Sequence, residues 1–316
     1  MENTYAAEDT DKFEETKIKN EPFLSRILWI PATILTTLHL GGMYGWYLVF
    51  TGRLLFLTFV FDALLGHLCG LSITIGAHRL FSHRSFKAKK PLRLCLLLLH
   101  TISAQNSLWA WVRDHRQHHK YSDTDADPHN SNRGFFFSHI GWTMLKKQPE
   151  VQKYARKIDM SDLQADPWIM FQKRYYVILY FIFPFLIPTA IPYYFWNETL
   201  WNSFFMCLAR NVAETNLTCM VNSFAHIYGT KPYNKNMKAA ENKYVSIFTK
   251  GEGWHNYHHM FPWDCNAAEL GRDYNHSGNI LAFLERIGQA YDLKKATKEM
   301  TMNSVRKYGD GTHPFY

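Results

Sequence analysis

The chain is poor in cysteine, with five scattered through 316 residues and no C-x-x-C pair. That excludes a disulfide framework and a zinc finger, because the set supplies neither paired bridges nor a cage of thiolates. Charge is sparse too, at 20% of residues. The basic residues are dispersed and no recognition motif accompanies them, so nucleic acid is a poor partner. A basic start followed by an apolar core is also missing. Residues 1–22 instead hold seven acids and three lysines, which is no cleavable signal peptide. Residues 1–26 therefore read as a disordered tail facing the cytosol, with too little apolar surface to offset its ordering entropy.

What the chain does have is 47% hydrophobic and 16% aromatic residues. A mean hydropathy of −0.27 hides strong segmentation. Residues 27–50 contain no Asp, Glu, Lys or Arg, and 54–76 contain only Asp62. A second apolar pair follows at 175–196 and 200–221. Each run reaches the ~20 residues that cross a bilayer. The three-residue links at 51–53 and 197–199 make two helical hairpins. Asn197-Glu198-Thr199 is a glycosylation sequon by pattern, but so short a turn is not expected to carry a glycan. A fifth apolar stretch, Leu92 to Val112, reads as interfacial or packed beneath the bilayer. Crossing there would put the histidine clusters that flank it in opposite compartments.

Of the 35 basic residues, 4 precede Ile27, 17 lie in 77–174 and 12 follow Ala225. Positive charge marks the cytosolic side, so the long polar segments face the cytosol, with both termini inside. The fold class expected is an all-α integral membrane protein: four transmembrane helices in two hairpins, under a cytosolic helical cap formed by 77–174 and 226–300. Residues 301–316 read as a C-terminal tail. The net charge of +8 is then mostly a statement of topology, with some attraction for anionic lipid or ligand.

Histidine is plentiful, at 16 residues. Nine fall in four places: His78 and His83; His115, His118 and His119; His226; and His255, His258 and His259. The pattern H-x-x-H-H occurs twice, and on a helix residues three and four apart share a face, so each run should present three imidazoles to one point. Packing imidazoles this densely suits no core, since each ring needs partners for both nitrogens, whereas a metal takes one and an acceptor behind it the other. Nine ligands exceed one octahedral ion, so two metals are implied. Imidazole suits iron, copper, zinc and nickel alike. The remaining seven histidines (His39, His67, His100, His129, His139, His276 and His313) read as ordinary surface or core residues.

The segments GAHRLFSHRSFKA, WVRDHRQHHKYSDTDADPHN, VNSFAHIYG and GEGWHNYHHMFPWD resemble the three histidine boxes and additional histidine of the membrane-bound acyl-CoA desaturases, of the animal delta-9 type and its insect relatives. The likeness covers about residues 27–300. It implies a di-iron enzyme of the endoplasmic reticulum membrane that inserts a double bond into a long-chain fatty acyl-CoA. The co-substrate would be O2, and two electrons would come from cytochrome b5 and its reductase. Two Fe2+ ions fit that chemistry where zinc, which has no redox chemistry, does not.

Residue by residue, the nine clustered histidines match the family's ligands, and Asn222 matches an asparagine that reaches one metal through water; otherwise it caps a helix or bonds between helices. Asp123, Asp125 and Asp127 either accept hydrogen bonds from ligand N–H groups or shape a turn. Arg113, Asp114, Lys146 and Lys147 match positions near the CoA head group, though the two lysines also serve as topology charges. Gln105, Asn106, Trp111 and Thr218 match the lining of the tunnel around the acyl bend; Trp111 would otherwise belong to an interfacial belt.

Three departures stand out. Trp29-Ile30-Pro31 replaces the family's Trp-Arg-Asn, so a CoA contact is lost. Cys219 replaces a tryptophan near the substrate carbonyl. Glu214 stands at an apolar position, either altering the tunnel or facing Arg210 one turn away. Gly66 and Gly70 occupy the tunnel's far end, where their spacing either serves close helix packing or lengthens the cavity. Competing readings are a desaturase of other regioselectivity such as delta-11, a conjugating or bifunctional desaturase, a fatty acyl hydroxylase, a metal transporter, whose ligands would lie at mid-bilayer, and a haem electron carrier. No H-P-G-G haem motif occurs, so cytochrome b5 is expected as a separate partner.

Overall fold

A computed structural model describes residues 22–270 and 274–314; most of the expected N-terminal tail lies outside them. The described chain is mostly helical. Helix α1 spans Trp29–Phe50. Helix α2 spans Phe56–Leu71 and runs on as a wider i→i+5 turn over Ser72–Ser82. Strand β1, Lys87–Ala88, then leads into α3, Lys90–Ile102, and α4, Leu108–Tyr121. After short helical turns, α5 (Pro167–Phe181) continues through a second wide turn, Ile182–Leu186, into α6, Ile187–Trp196. Helix α7 is the longest, Leu200–Ile227. The polar segment that follows contains α8 (Lys243–Phe248), α9 (His255–Met260), α10 (His276–Arg286), β2 (Ala290–Tyr291) and α11 (Lys298–Tyr308). Strands β1 and β2 pair antiparallel, with Lys87 opposite Tyr291.

Two stretches, Phe56–Ser82 and Tyr176–Trp196, are long and apolar enough to cross a membrane by length and composition. They pack with α1 and α7 into one bundle. Its outer face is apolar: Phe50, Phe56, Val177, Tyr194 and Phe195 are all more than 70% exposed. Helix α7 lies against α1 over a seam of small residues. A Cβ on Gly45 would overlap the Phe205 carbonyl, and one on Gly42 would come 3.1 Å from Val212. Missing side chains let the two backbones touch, which is how helices associate where burial from water gives no driving force. The close-packing G-x-x-x-G is therefore Gly41 and Gly45; Gly66 and Gly70 instead face the side chains of Arg210, Glu214 and Lys250.

The stretch Leu92 to Val112 is not one helix. Ala104 and Asn106 take left-handed φ of 60° and 72°, and Ser107 caps α4 by accepting from the Ala110 N–H. The result is two helices of 13 and 14 residues, each below the ~20 needed to span. Gln172 ties them to α5, accepting from Leu108 N–H at 2.9 Å and donating to Thr101 Oγ1 at 2.9 Å. The core behind the site is built there, from Leu71, Ile75, Leu108, Val112, Ile169 and Leu281.

Polar groups inside the bundle are partnered across helices. Arg210 faces Asp62 at 3.2 Å, both side chains nearly sealed, and Glu214 faces Lys250. This corrects the expectation that Arg210 and Glu214 pair: helix geometry offers the i+4 partner, but each side chain finds a partner from another segment. Arg210 also donates to the Pro184 carbonyl at 2.8 Å. That oxygen is free because Pro188, four residues on, has no N–H to give it. At the opposite end, Glu198 accepts from Leu55 N–H, Thr58 Oγ1, Thr199 N–H and Asn202 Nδ2, fastening one hairpin turn to the other. The region from 301 onward, expected as a tail, starts inside α11. Thr301, Ser304 and Val305 are buried there, and Val305 packs with Tyr233 and Tyr257.

Replacing Asp62 by leucine leaves Arg210 buried and unpaired, and should destabilise the fold by ~3–5 kcal/mol. Adding Arg210→Met should return most of the loss; thermal unfolding in detergent of the single and double variants checks the sign.

Candidate metal centre

Nine imidazoles meet beneath the bundle, in two groups. His78, His83, His115, His119 and His258 form the first; His118, His226, His255 and His259 form the second. Within each group the ligand nitrogens all lie within 4.8 Å of one another. The expectation that each H-x-x-H-H serves one point needs correcting. On α4, His115 and His119 are one turn apart and enter the first group, while His118 points to the second. On α9, His255 and His259 enter the second group and His258 the first. Positions i and i+4 share a face closely enough to reach one point, and i+3 lies to its side.

The spacing of His78 and His83 has its own cause. An α-turn sets residues five apart on diverging faces, but here the chain follows i→i+5 bonds, with His83 N–H donating to the His78 carbonyl at 3.1 Å. The wide turn brings the two rings edge to face with centroids 4.9 Å apart, one of the functional-site uses to which such turns are put. Arg116, on the far side of α4, clamps this turn through the Phe81 and Ser82 carbonyls at 2.7 and 3.2 Å.

The Nε2 atoms face each other closely: His78 to His258 at 2.8 Å, His83 to His115 at 2.9 Å, His119 to His258 at 3.0 Å, His226 to His255 at 3.0 Å, and His118 to His259 at 3.3 Å. Behind them, carboxylates fix three rings. Glu252 Oε2 lies 2.8 Å from His78 Nδ1, Asp127 Oδ2 2.8 Å from His118 Nδ1 and Asp123 Oδ2 2.9 Å from His226 Nδ1. A neutral imidazole has one N–H. With the Nδ1–H given to a carboxylate, Nε2 of His78, His118 and His226 is an acceptor turned inward. Lone pairs pressed to 3 Å repel unless a cation lies among them. Nitrogens at ~2.1 Å from one metal and at right angles stand ~3.0 Å apart, the separation seen. The donor set thus fits two divalent transition metals, with nitrogen ligands only.

Electrostatics agree. Burial, then the neighbouring histidines, holds His119, His255, His258 and His259 well below the ordinary 6.5, so they stay neutral and ready to ligate. Burial would lower His118 as well, yet Asp127 raises it. Burial would likewise raise Glu252 and Asp127, but Arg79 and His78 hold Glu252 at about 2, and His118 and His129 hold Asp127 at about 2. Asp125 is exposed and serves neither group.

Two cavities meet at the histidines. The outer one, about 670 Å³, is lined by the exposed or partly exposed Leu28, Arg113, Asp114 and Lys147 and by Asn106, Trp111 and Cys219. Asp114 holds both cations, with Arg113 Nη2 and Lys147 Nζ each 2.7 Å from its carboxylate. Lys146 does not line the cavity; its backbone N–H bonds the Arg26 carbonyl. Pro31 stands on the wall with only ring carbons to offer. The inner cavity shares Trp111, His115, Thr218 and Asn222 with the outer one and adds His78, His118 and His255. Trp111 stacks on His115 at 5.0 Å, and Gln105 Nε2 bonds Thr218 Oγ1 at 3.0 Å at the junction. Gly70 lines the inner cavity and Gly66 does not. A Cβ on Gly66 would instead meet Arg210 Cγ at 3.1 Å.

Two residues of the site escaped the sequence. Glu252 is a lone glutamate between glycines, three residues before a box histidine. His129, read as ordinary, lies with its ring 4.2 Å from His118 and its backbone N–H on Asp127. His39 and His139 are structural, joined through Asn216 at 3.0 and 3.1 Å.

A family model for fatty acid desaturases matches residues 54–276. An acyl-CoA Delta-9 desaturase of Acheta domesticus is 49% identical over 301 residues, 95% of this chain and 84% of the relative. An acyl-CoA Delta(11) desaturase of Choristoneura rosaceana is 48% identical over 275 residues, covering 87% and 82%. Stearoyl-CoA desaturase 5 of Bos taurus is 44% identical over 287 residues, covering 90% and 85%.

Replacing Glu252 by glutamine should lower metal affinity ~10–100-fold, read as metal content after dialysis against a weak chelator. The metal-free protein should lose stability as pH falls below about 6.5. Seven of the nine clustered histidines (His83, His115, His119, His226, His255, His258 and His259) are depressed and take up protons only in the unfolded chain, so acid favours unfolding, and of the nine only His118, raised, opposes them. A melting temperature that does not fall between pH 7.5 and 5.5 would contradict this.

Proposed function

The chain belongs to the fatty acid desaturase family, and from that premise we propose that it inserts a double bond, at the delta-9 position, into a saturated or monounsaturated long-chain fatty acyl-CoA. The balance is one methylene pair, O2, two electrons and two protons giving one alkene and two waters. One observation carries the reading: nine imidazole nitrogens, aimed inward in two groups, open onto a largely apolar cavity whose mouth is cationic.

Two irons held by the nine histidines, with Asn222 reaching one through water, would supply the redox chemistry that removes hydrogen from an unactivated methylene pair. The protein's own part is placement. Arg113 and Lys147 meet the CoA phosphates, while Asp114 keeps both at fixed positions; Lys146, off the cavity wall, adds only its charge nearby. With Pro31 where an amide would stand, these cations carry more of the CoA contact. Trp111 and the Gln105–Thr218 bond shape the bend that sets one methylene pair against the histidine groups, with Asn106 and Cys219 beside it. The buried walls keep water from the reacting carbons.

The apolar outer face of the bundle supports four spans, α1, α2, α5–α6 and α7, in the endoplasmic reticulum membrane with both termini cytosolic. In that arrangement the acyl tail leaves lipid while the CoA stays in water. Electrons would come from cytochrome b5 with its reductase, docking on the cap.

Expressed in a desaturase-deficient host fed saturated acids of several lengths, the chain should yield new monounsaturated acids, their double bonds located by mass spectrometry. A bond elsewhere than carbon 9 would overturn the position and leave the reaction class. Hydroxylated acids alone, or no new product from well-expressed protein, would overturn the reaction.

A further inference from the structure

The inner cavity is not lined by carbon alone: a glutamate and a lysine share its wall. Besides the histidines it is lined by Thr74, Leu217, Gly70, Glu214 and Lys250. Glu214 comes from α7. Lys250 comes from the loop after α8 that also brings Glu252 to His78. Their charged atoms are 3.6 Å apart, and each side chain is 12% exposed. The pair is built, not incidental. Lys250 holds a left-handed φ of 64°, unfavourable for a residue with a Cβ. The bonds around it fix that turn, from Ser277 N–H to the Lys250 carbonyl at 2.9 Å and from Gly251 N–H to the Ser246 carbonyl at 2.8 Å. Space for the pair is made by Gly70, where a Cβ would overlap Lys250 Nζ and lie 2.7 Å from Glu214 Oε2.

A separation of 3.6 Å exceeds the 2.7–2.9 Å of a direct charged hydrogen bond, so the pair is slack and has capacity to spare. A methyl end brought against it would strip water or a partner from two charges and return nothing. A carboxylate would be repelled by Glu214. A hydroxyl satisfies both sides, accepting from Lys250 and donating to Glu214.

We propose that Glu214 and Lys250 form a polar end wall in the acyl cavity that selects chains carrying a hydroxyl at their far end. The inference rests on the desaturase reading, since it takes the inner cavity as the path of the chain beyond the metals. Plain chains fit only if they stop short of the wall.

The test is competition. Iron-loaded full-length protein in microsomes with its electron donors receives equal amounts of palmitoyl-CoA and 16-hydroxypalmitoyl-CoA, and likewise the C14 and C18 pairs, with products resolved by mass spectrometry. The hydroxylated chain of at least one pair should be preferred about tenfold, the scale of one hydrogen bond to a charged group. Lys250→Met and Glu214→Gln, each close in size to the original, should bring that ratio to near one. The ratio is internal to each sample, so partial loss of folded protein cancels. If a variant yields no folded protein, the wild-type ratio still decides. Equal use of both chains by the wild type at every length, or a preference that both variants retain, overturns the proposal. Thermal stabilisation of the purified protein by the same esters reads the preference without turnover. A chain that binds the esters and desaturates none would therefore fail the family's reaction while still deciding this inference.

Discussion

Nine nitrogen lone pairs directed at two small volumes repel one another, and most of the architecture can be read as the means of holding them there. A histidine ring is free to turn about two bonds, so each must be fixed from behind. Asp123, Asp127 and Glu252 do this for three rings by taking the Nδ1 proton. Glu252 is held in turn by Arg79, whose guanidinium also reaches the Cys265 carbonyl. Arg116 fastens α4 to the wide turn of α2 through backbone carbonyls. The force that would scatter the rings in a bare protein becomes the binding free energy when cations lie between them, because the cost of bringing them together is met during folding.

That constraint explains why the cap and bundle interpenetrate. Histidines come from the C-terminal ends of α2 and α7 as well as from α4 and α9, so the site is completed only when long apolar helices and short polar ones meet at one level. Charges inside the bundle serve the same registration. Asp62 with Arg210, and Glu198 with both hairpin turns, fix how far α2 and α7 stand along each other, and hence the height of His78 relative to His226. Charges so placed are expensive in an apolar setting, and their pairing across helices limits the cost.

Much of this was legible in the sequence, for identifiable reasons. H-x-x-H-H repeated at the margins of apolar runs is a local pattern, and ligands drawn from it need only helix geometry to be recognised. The break in Leu92 to Val112 had no such mark, because Ala104 and Asn106 adopt left-handed backbone within an apolar context. The wide turn over Ser72–Ser82 is invisible to hydropathy, although the five-residue spacing of His78 and His83 is its trace. Pairings resisted most. From sequence alone Arg210 has one candidate partner, Glu214 on its own helix, whereas Asp62 lies 148 positions away and Lys250 belongs to the cap. Glu252 is an isolated acid whose role appears only when His78 arrives from the other end of the chain.

The division of each H-x-x-H-H run between the two groups has a mechanical meaning. His118 and His119 are neighbours in the chain, as are His258 and His259, and in each pair one residue serves each group. Consecutive Cα atoms across a trans peptide are 3.80 Å apart and do not stretch. The two groups are therefore joined by two covalent rulers on opposite sides, one in α4 and one in α9. Packing can relax, side chains can breathe and substrate can enter, but the groups cannot drift apart without breaking helix geometry in two places. The spacing between the two centres is thus gauged by peptide units rather than by the softer contacts of a protein interior.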